Sequence, residues 1–136
     1  IELLYFGKAH TSGDVFIHVP NEKILFTGDV IQRNKIPYLG DCYPLDWPDT
    51  NNKLSKIPID IFVSGHGDNG NYNDLLESKK FIQDLVNYSS DALFEGQNIK
   101  EVTDTVINKL SNLYVNWVGF ESLNEQLPDF ILKLSI

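Results

Sequence analysis

The sequence predicts an α/β protein of the α+β kind, with a sheet of about four to five strands built by its first part and covered by helices from its second. Three observations point there. Residues 1–64 hold short apolar stretches of strand length separated by turn signals, and one of them alternates with a period of two. From about Asp74 onward the apolar residues instead recur at helical spacing. Capping and stop signals divide that second region into helix-sized pieces.

The elements follow in order. Ile1–Phe6 is an apolar run of strand length. In Asp14–Val19, Val15, Ile17 and Val19 occupy one face and Phe16 and His18 the other. Pro20-Asn21-Glu22-Lys23 is a turn signal, and Ile24–Thr27 follows, so the pair reads as a hairpin. Residues 31–56 read as a long irregular segment, punctuated by Pro37, Gly40, Pro44 and Pro48, whose aromatic content favours an ordered loop. Ile59–Ser64 is a fourth strand, and Gly65–Asn73 a polar, glycine-rich loop. Leu75, Ile82, Leu85, Val86 and Leu93 mark an amphipathic helix that Gly96 would stop. Asn98 with Glu101 resembles a capping box, and the stripe from Ile99 through Val102, Val106, Leu110 and Leu113 to Trp117 continues behind it. Ser122 and Glu125 repeat that signal before Phe130, Ile131 and Leu134, with Pro128 expected in the first turn. Strands thus fall within 1–64 and helices within 73–136 of a single domain.

With 136 residues the chain can bury one core. Eleven Lys and Arg against 19 Asp and Glu give a net charge of −8, and Lys79-Lys80 is the longest basic stretch, which argues against a nucleic-acid partner. No apolar run is long enough to span a bilayer, so no membrane partner is expected. Cys42 stands alone and makes no internal disulfide. Methionine is absent, so Ile1 is expected not to be a translational start.

Chemistry concentrates in three segments that each end a predicted strand: Gly7-Lys8-Ala9-His10-Thr11-Ser12-Gly13-Asp14, Leu25-Phe26-Thr27-Gly28-Asp29 and Val63-Ser64-Gly65-His66-Gly67. They set His10, Asp29 and His66 at loop positions beyond one sheet, where polar groups are held rigidly with one side open. Neutral imidazole is a favoured zinc ligand, and a carboxylate can hold two cations about 3.5–4 Å apart. Each motif alone has an ordinary reading as a hydrogen-bonded histidine or a turn aspartate; three together favour metal. Three donors do not complete a two-metal site, and no other His cluster is present.

The run from Gly7 to Asp29, GKAHTSGDVFIHVPNEKILFTGD, resembles the third and fourth metal motifs of the metallo-β-lactamase superfamily, and SGHG at 64–67 resembles the fifth. The resemblance implies that His10 binds a first metal, that Asp29 bridges and that His66 binds the second. It implies zinc, one or two ions, with Fe or Mn taking the same donors. It implies the C-terminal half of an αββα sandwich, because the upstream His-x-His-x-Asp-His motif is absent here. It further implies a hydrolase in which a metal-bound hydroxide attacks a small-molecule amide, ester or thioester. Asp29 sets the chain apart from superfamily lactamases with cysteine at this position, the Gly-Arg-x-Asp pattern of glyoxalase II-like members is missing, and the acidic balance fits the nucleases poorly.

Other residues carry two readings. Asp14 either orients a ligand histidine or caps a strand. Tyr38, Tyr43 and Trp47 either line a substrate mouth or pin the long loop. His18, mid-strand, and Cys42, with no histidine near it in sequence, read as structural. The alternative to an enzyme is a catalytically incomplete fragment, or a non-enzymatic metal-binding or interaction module. It would form a homo-oligomer through an apolar sheet face, or pair with the missing N-terminal half.

Overall fold

The computed structural model describes every residue from Ile1 to Ile136. Five strands, β1 (Glu2–Leu4), β2 (Phe16–Val19), β3 (Ile24–Gly28), β4 (Ile61–Ser64) and β5 (Gly70–Asn71), form one sheet in chain order. Four helices accompany them: α1 (Trp47–Leu54), α2 (Tyr72–Phe94), α3 (Ile99–Tyr114) and α4 (Leu123–Leu134). The predicted hairpin is present: β2 and β3 are antiparallel, with Ile17 opposite Phe26 and His18 opposite Leu25. The turn between them is a short 3-10 segment, Pro20–Glu22, that closes on Lys23 in the left-handed region (φ 54). β1 joins β2 antiparallel, β4 joins β3 parallel, and β5 joins β4 antiparallel.

Alternation sorts the sheet into two unlike faces. Phe16, His18, Leu25 and Phe62 point to the helical side and are buried. The other parity forms a cross-strand row of Leu3, Ile17, Phe26 and Val63. That face is open: Leu3 is 71% exposed, Ile61 44%, Phe26 41% and Ile17 39%. On the covered side α2 lies against β4 and β5, α1 and α3 lie against α2, and α4 lies against α3.

The expected Gly96 stop of α2 and the Asn98 capping box of α3 are present, and α2 has a capping box of its own that the sequence reading did not name. Asn71 and Asp74 exchange side-chain and backbone bonds at the start of α2, and Asn98 and Glu101 do the same for α3. At the end of α2, Gly96 N–H bonds to Leu93 and Gln97 N–H to Ala92, a closing pair that reverses the chain. α4 differs from expectation. Ser122 is itself helical (φ −65, ψ −18), ends a 3-10 turn over Phe120–Ser122, and makes no cap bond. Its hydroxyl instead accepts from Gln126 Nε2 at 3.0 Å. Pro128 therefore lies inside α4 and not in its first turn. Trp117 falls beyond α3 but still packs on Tyr114 and Phe81, at ring separations of 4.7 and 5.2 Å.

Two elements cross the expected division. α1 lies inside the segment read as irregular, with Pro48 in its first turn. Its buried stripe is Trp47, Thr50, Asn51 and Leu54, correctly spaced but half polar, so apolar periodicity could not register it. β5 lies beyond residue 64 and is too short to carry a pattern; Gly70 is required there because a Cβ would stand 2.3 Å from the Phe62 ring. The remainder of residues 31–56 is ordered, and the distant helices hold it. Ile36 N–H bonds to Val118 O, Leu39 N–H to Gln126 Oε1 at 2.6 Å, and Lys133 Nζ donates to the carbonyls of Gly40 and Cys42.

Candidate metal centre

Strand direction brings the three motifs to one end of the sheet. β1, β3 and β4 run the same way and β2 runs against them. The loop leaving β1, the residue leaving β3 and the loop leaving β4 therefore emerge at a common edge, carrying His10, Asp29 and His66.

Asp29 and His66 meet. The register of β3 and β4 slips between Phe26 and Gly28, Gly28 adopts φ 55, and Gly65 N–H bonds to Gly28 O at 2.8 Å. The Asp29 carboxylate is thereby laid across the start of the next loop. A Cβ on residue 65 would stand 2.6 Å from Asp29 Oδ1, so only glycine permits this approach. His66 Nδ1 then sits 2.7 Å from Asp29 Oδ1. With the carboxylate ionised, Nδ1–H donates and Nε2 keeps its lone pair. A carboxylate on the second ring nitrogen is the usual way a ligand histidine is oriented. Asp29 Oδ1 is thus spent on His66, and Oδ2 with His66 Nε2 remain as donors. The His66 side chain is 67% exposed and that of Asp29 22%.

His10 stands apart from this pair. Its Nε2 is buried and has no hydrogen-bond partner. Leaving such an atom unpaired costs about 1–3 kcal/mol, so each instance calls for an explanation. The loop carrying it is fixed by Tyr43 N–H to Ala9 O (2.8 Å), by Thr50 Oγ1 to Lys8 O (2.8 Å) and by Tyr5 Oη to Ser12 O (2.9 Å). Asp14 braces the same loop, accepting from Thr11 N at 2.8 Å and Thr11 Oγ1 at 3.0 Å. Its hydrogen bonds run to Thr11 and not to a histidine ring.

Of the three aromatic residues given two readings, Trp47 agrees with pinning and not with a substrate mouth: it is the first residue of α1 and fully buried. Tyr38 is 61% exposed, with its ring edge-on to His10. Tyr43 carries the Lys8 ammonium 4.8 Å above its ring and, with Thr11, Ser12, Leu45, Asp46 and Lys133, lines a cavity of about 700 Å³ beside the His10 loop. Cys42 also borders it, but burial pushes its thiol up to about 11, against attack at neutral pH. His18 is buried and bonded through Nδ1 to Glu2 Oε1 at 2.7 Å. Thr50, Gln126 and Lys133 escaped sequence reading, as did the close approach of Gly65 to Asp29. Nothing in a single sequence links residue 39 to residue 126.

The donor chemistry fits zinc: two imidazoles and a carboxylate, one imidazole nitrogen with no competing partner. The donor number does not complete a site. No three His, Cys, Asp or Glu side chains stand close enough together to hold an ion, so the edge offers the Asp29–His66 pair and a separate His10. Four-coordinate zinc needs more than either supplies.

Comparison with known proteins agrees on the lineage. The chain is 27% identical over 95 residues to the metallo-beta-lactamase type 2 of Bacteroides fragilis, covering 66% of this chain and 38% of that protein. It is 32% identical over 72 residues to the metallo-beta-lactamase type 2 of Elizabethkingia meningoseptica, covering 49% and 29%. The solved metallo-beta-lactamase from Pontibacter korlensis superposes with a TM-score of 0.55 at 26% identity, over 60% of this chain and 40% of that one. The chain thus spans well under half the length of the relatives it matches. These relatives are lactamases by name, although Asp29 had pointed away from the cysteine-bearing lactamases. The family model for the metallo-beta-lactamase superfamily matches residues 2–83, which take in all three motifs. On that match, and on the fold that carries it, the chain belongs to the metallo-β-lactamase superfamily.

Proposed function

We propose that this chain supplies part of the metal centre of a metal-dependent hydrolase acting on a small-molecule amide, ester or thioester. The observation that carries the reading is the emergence of His10, Asp29 and His66 at one sheet edge, with His10 Nε2 left without a protein partner. Zinc, as one or two ions, would supply Lewis-acid polarisation of a carbonyl and activation of water near neutral pH. The chain's own part is to hold donors. Asp29 orients His66 through Nδ1 and leaves Nε2 facing outward, and Gly65 keeps that carboxylate in place. His10 presents its nitrogen from a loop tied to α1. Further ligands must come from outside these residues.

The test is metal content of the chain after dialysis against zinc. Bound zinc is expected in the unaltered protein, reduced in Asp29→Ala and His66→Ala. Equal content in all three ends the reading.

A second reading has its own observation. The row Leu3, Ile17, Phe26 and Val63 is a contiguous apolar face with nothing over it. Such faces mark interfaces. We infer a pairing module that closes this face on a second copy of the chain or on the N-terminal half that the resemblance implies. Light scattering is expected to report a dimer of the chain alone; a stable monomer at low micromolar concentration counts against self-pairing.

A further inference from the structure

We infer that Trp47 is a positioning residue for His10: its indole fixes the imidazole plane, so that Nε2 is kept for a metal and not spent on the protein. The inference rests on the assignment of His10 as a ligand and adds the residue that prepares it. Four observations carry it.

The imidazole packs edge-on against Trp47, centroids 5.8 Å apart with the planes at 80°, and against Tyr38 at 6.5 Å and 67°. Two aromatic rings at steep angles restrict rotation about χ2, which is otherwise broad for histidine. Trp47 is itself immobile: it is fully buried at the first turn of α1. That helix is clamped to the His10 loop by Thr50 Oγ1, which donates to Lys8 O at 2.8 Å and to Phe6 O at 3.3 Å. The indole and the loop therefore move as one piece.

The polar accounting is unusual on both sides of the contact. A buried indole N–H ordinarily finds an acceptor. Trp47 Nε1 has none, and neither does His10 Nε2. Two unpartnered ring nitrogens on packed neighbours stand against a purely structural role, since mutual hydrogen bonding would have stabilised the fold more. The other histidines of the chain each bond through Nδ1 to a carboxylate, His18 to Glu2 and His66 to Asp29, and although His18 Nε2 is likewise buried without a partner, His10 differs in that its ring makes no hydrogen bond at all. His10 receives apolar flat surface instead. A large aromatic side chain here does for His10 what Asp29 does for His66, by packing where the other uses a hydrogen bond.

The test has two arms on the full chain. Without metal, long-range proton–nitrogen NMR is expected to show the His10 ring in one tautomer and one rotamer, with contacts to the Trp47 ring. Trp47→Phe retains this, whereas Trp47→Leu, which stays apolar but has no flat ring, gives averaged signals. Trp47→Ala is not used alone because it can unfold the loop. With zinc added, the shift of His10 Nε2 is titrated: Trp47→Phe stays within about threefold of the unaltered chain, and Trp47→Leu weakens binding at His10 by about 10–100-fold, the usual range for residues that orient a ligand. A single ordered His10 ring in Trp47→Leu, or unchanged zinc affinity there, overturns the inference. Absence of any zinc shift at His10 in the unaltered chain, with the metal-free arm as expected, overturns instead the assignment of His10 as a ligand.

Discussion

The helical half and the sheet edge are built to different standards of completeness. From α2 onward almost every buried polar group is answered. Tyr114 donates to Asp84 Oδ2 at 2.7 Å, Lys80 donates to the same oxygen at 2.7 Å, and the Tyr114 ring packs edge-on against Phe81 and Trp117. Apart from Ser89 Oγ, every buried side-chain nitrogen or oxygen lacking a partner lies within the first 54 residues: on His10, His18, Gln32, Trp47 and Asn51. The exposed apolar sheet face belongs to the same region. One half of the molecule finishes its own structure. The other carries groups that further chain, a ligand or water must answer. The matched superfamily region, residues 2–83, takes in that unfinished half.

The comparison can be broken or sharpened experimentally. The largest effect is expected in the finished half. Tyr114→Ala removes a ring only 1% exposed and should destabilise by about 3–5 kcal/mol in urea unfolding; a small effect would mean the helical packing is loose. At the edge, Gly65→Ala places a methyl 2.6 Å from Asp29 Oδ1 and should weaken zinc at the Asp29–His66 pair by about 10–100-fold in a competition titration, with α2 and α3 amide signals unmoved. Asn51, fully buried with both side-chain atoms unanswered, should be better replaced: Asn51→Leu is expected to raise the melting temperature, by up to about 1–3 kcal/mol in stability. A lower melting temperature would show that Asn51 has partners after all.

A smaller effect separates the halves by pH. Burial, followed by the Asp84 hydrogen bond, raises the Tyr114 hydroxyl above its usual 10.0. The folded state therefore favours the protonated form, so this contribution is whole below pH 10.0 and is lost as pH rises beyond it. Burial likewise lifts Cys42 from 9.0 to about 11, giving a loss that begins near pH 9.0 and is complete near 11. Tyr114→Phe should lose about 1 kcal/mol at neutral pH but decline less steeply above pH 10; an unchanged alkaline slope would remove the burial explanation. Smallest of all, Ile17→Lys on the open face should change monomer stability by no more than about 0.5 kcal/mol while abolishing any self-association seen by light scattering.

What could be read in advance followed from local rules. The hairpin, the Gly96 end of α2 and the Asn98 start of α3 rest on neighbours within a few residues: alternation, turn residues, a capping pair and a stop glycine. The three motifs were visible because each sits beside the strand that carries it. α1 was missed because two of its four buried positions, Thr50 and Asn51, are polar, and β5 because two residues have no period. The pinning of residues 34–42 by Val118, Gln126 and Lys133 was illegible, since those bonds span more than 80 positions.

The chain order of residues by itself determined an α+β body, a common sheet edge for His10, Asp29 and His66, and a two-residue alternation on β2 and β4. Tertiary structure alone decided that Asp29 and His66 touch while His10 stands apart beside Trp47, and which parity of the sheet the helices cover. The reason is geometric. Parallel strands align the ends of β3 and β4 regardless of the 36 residues between Gly28 O and Gly65 N, and no local rule encodes an alignment made across such a gap.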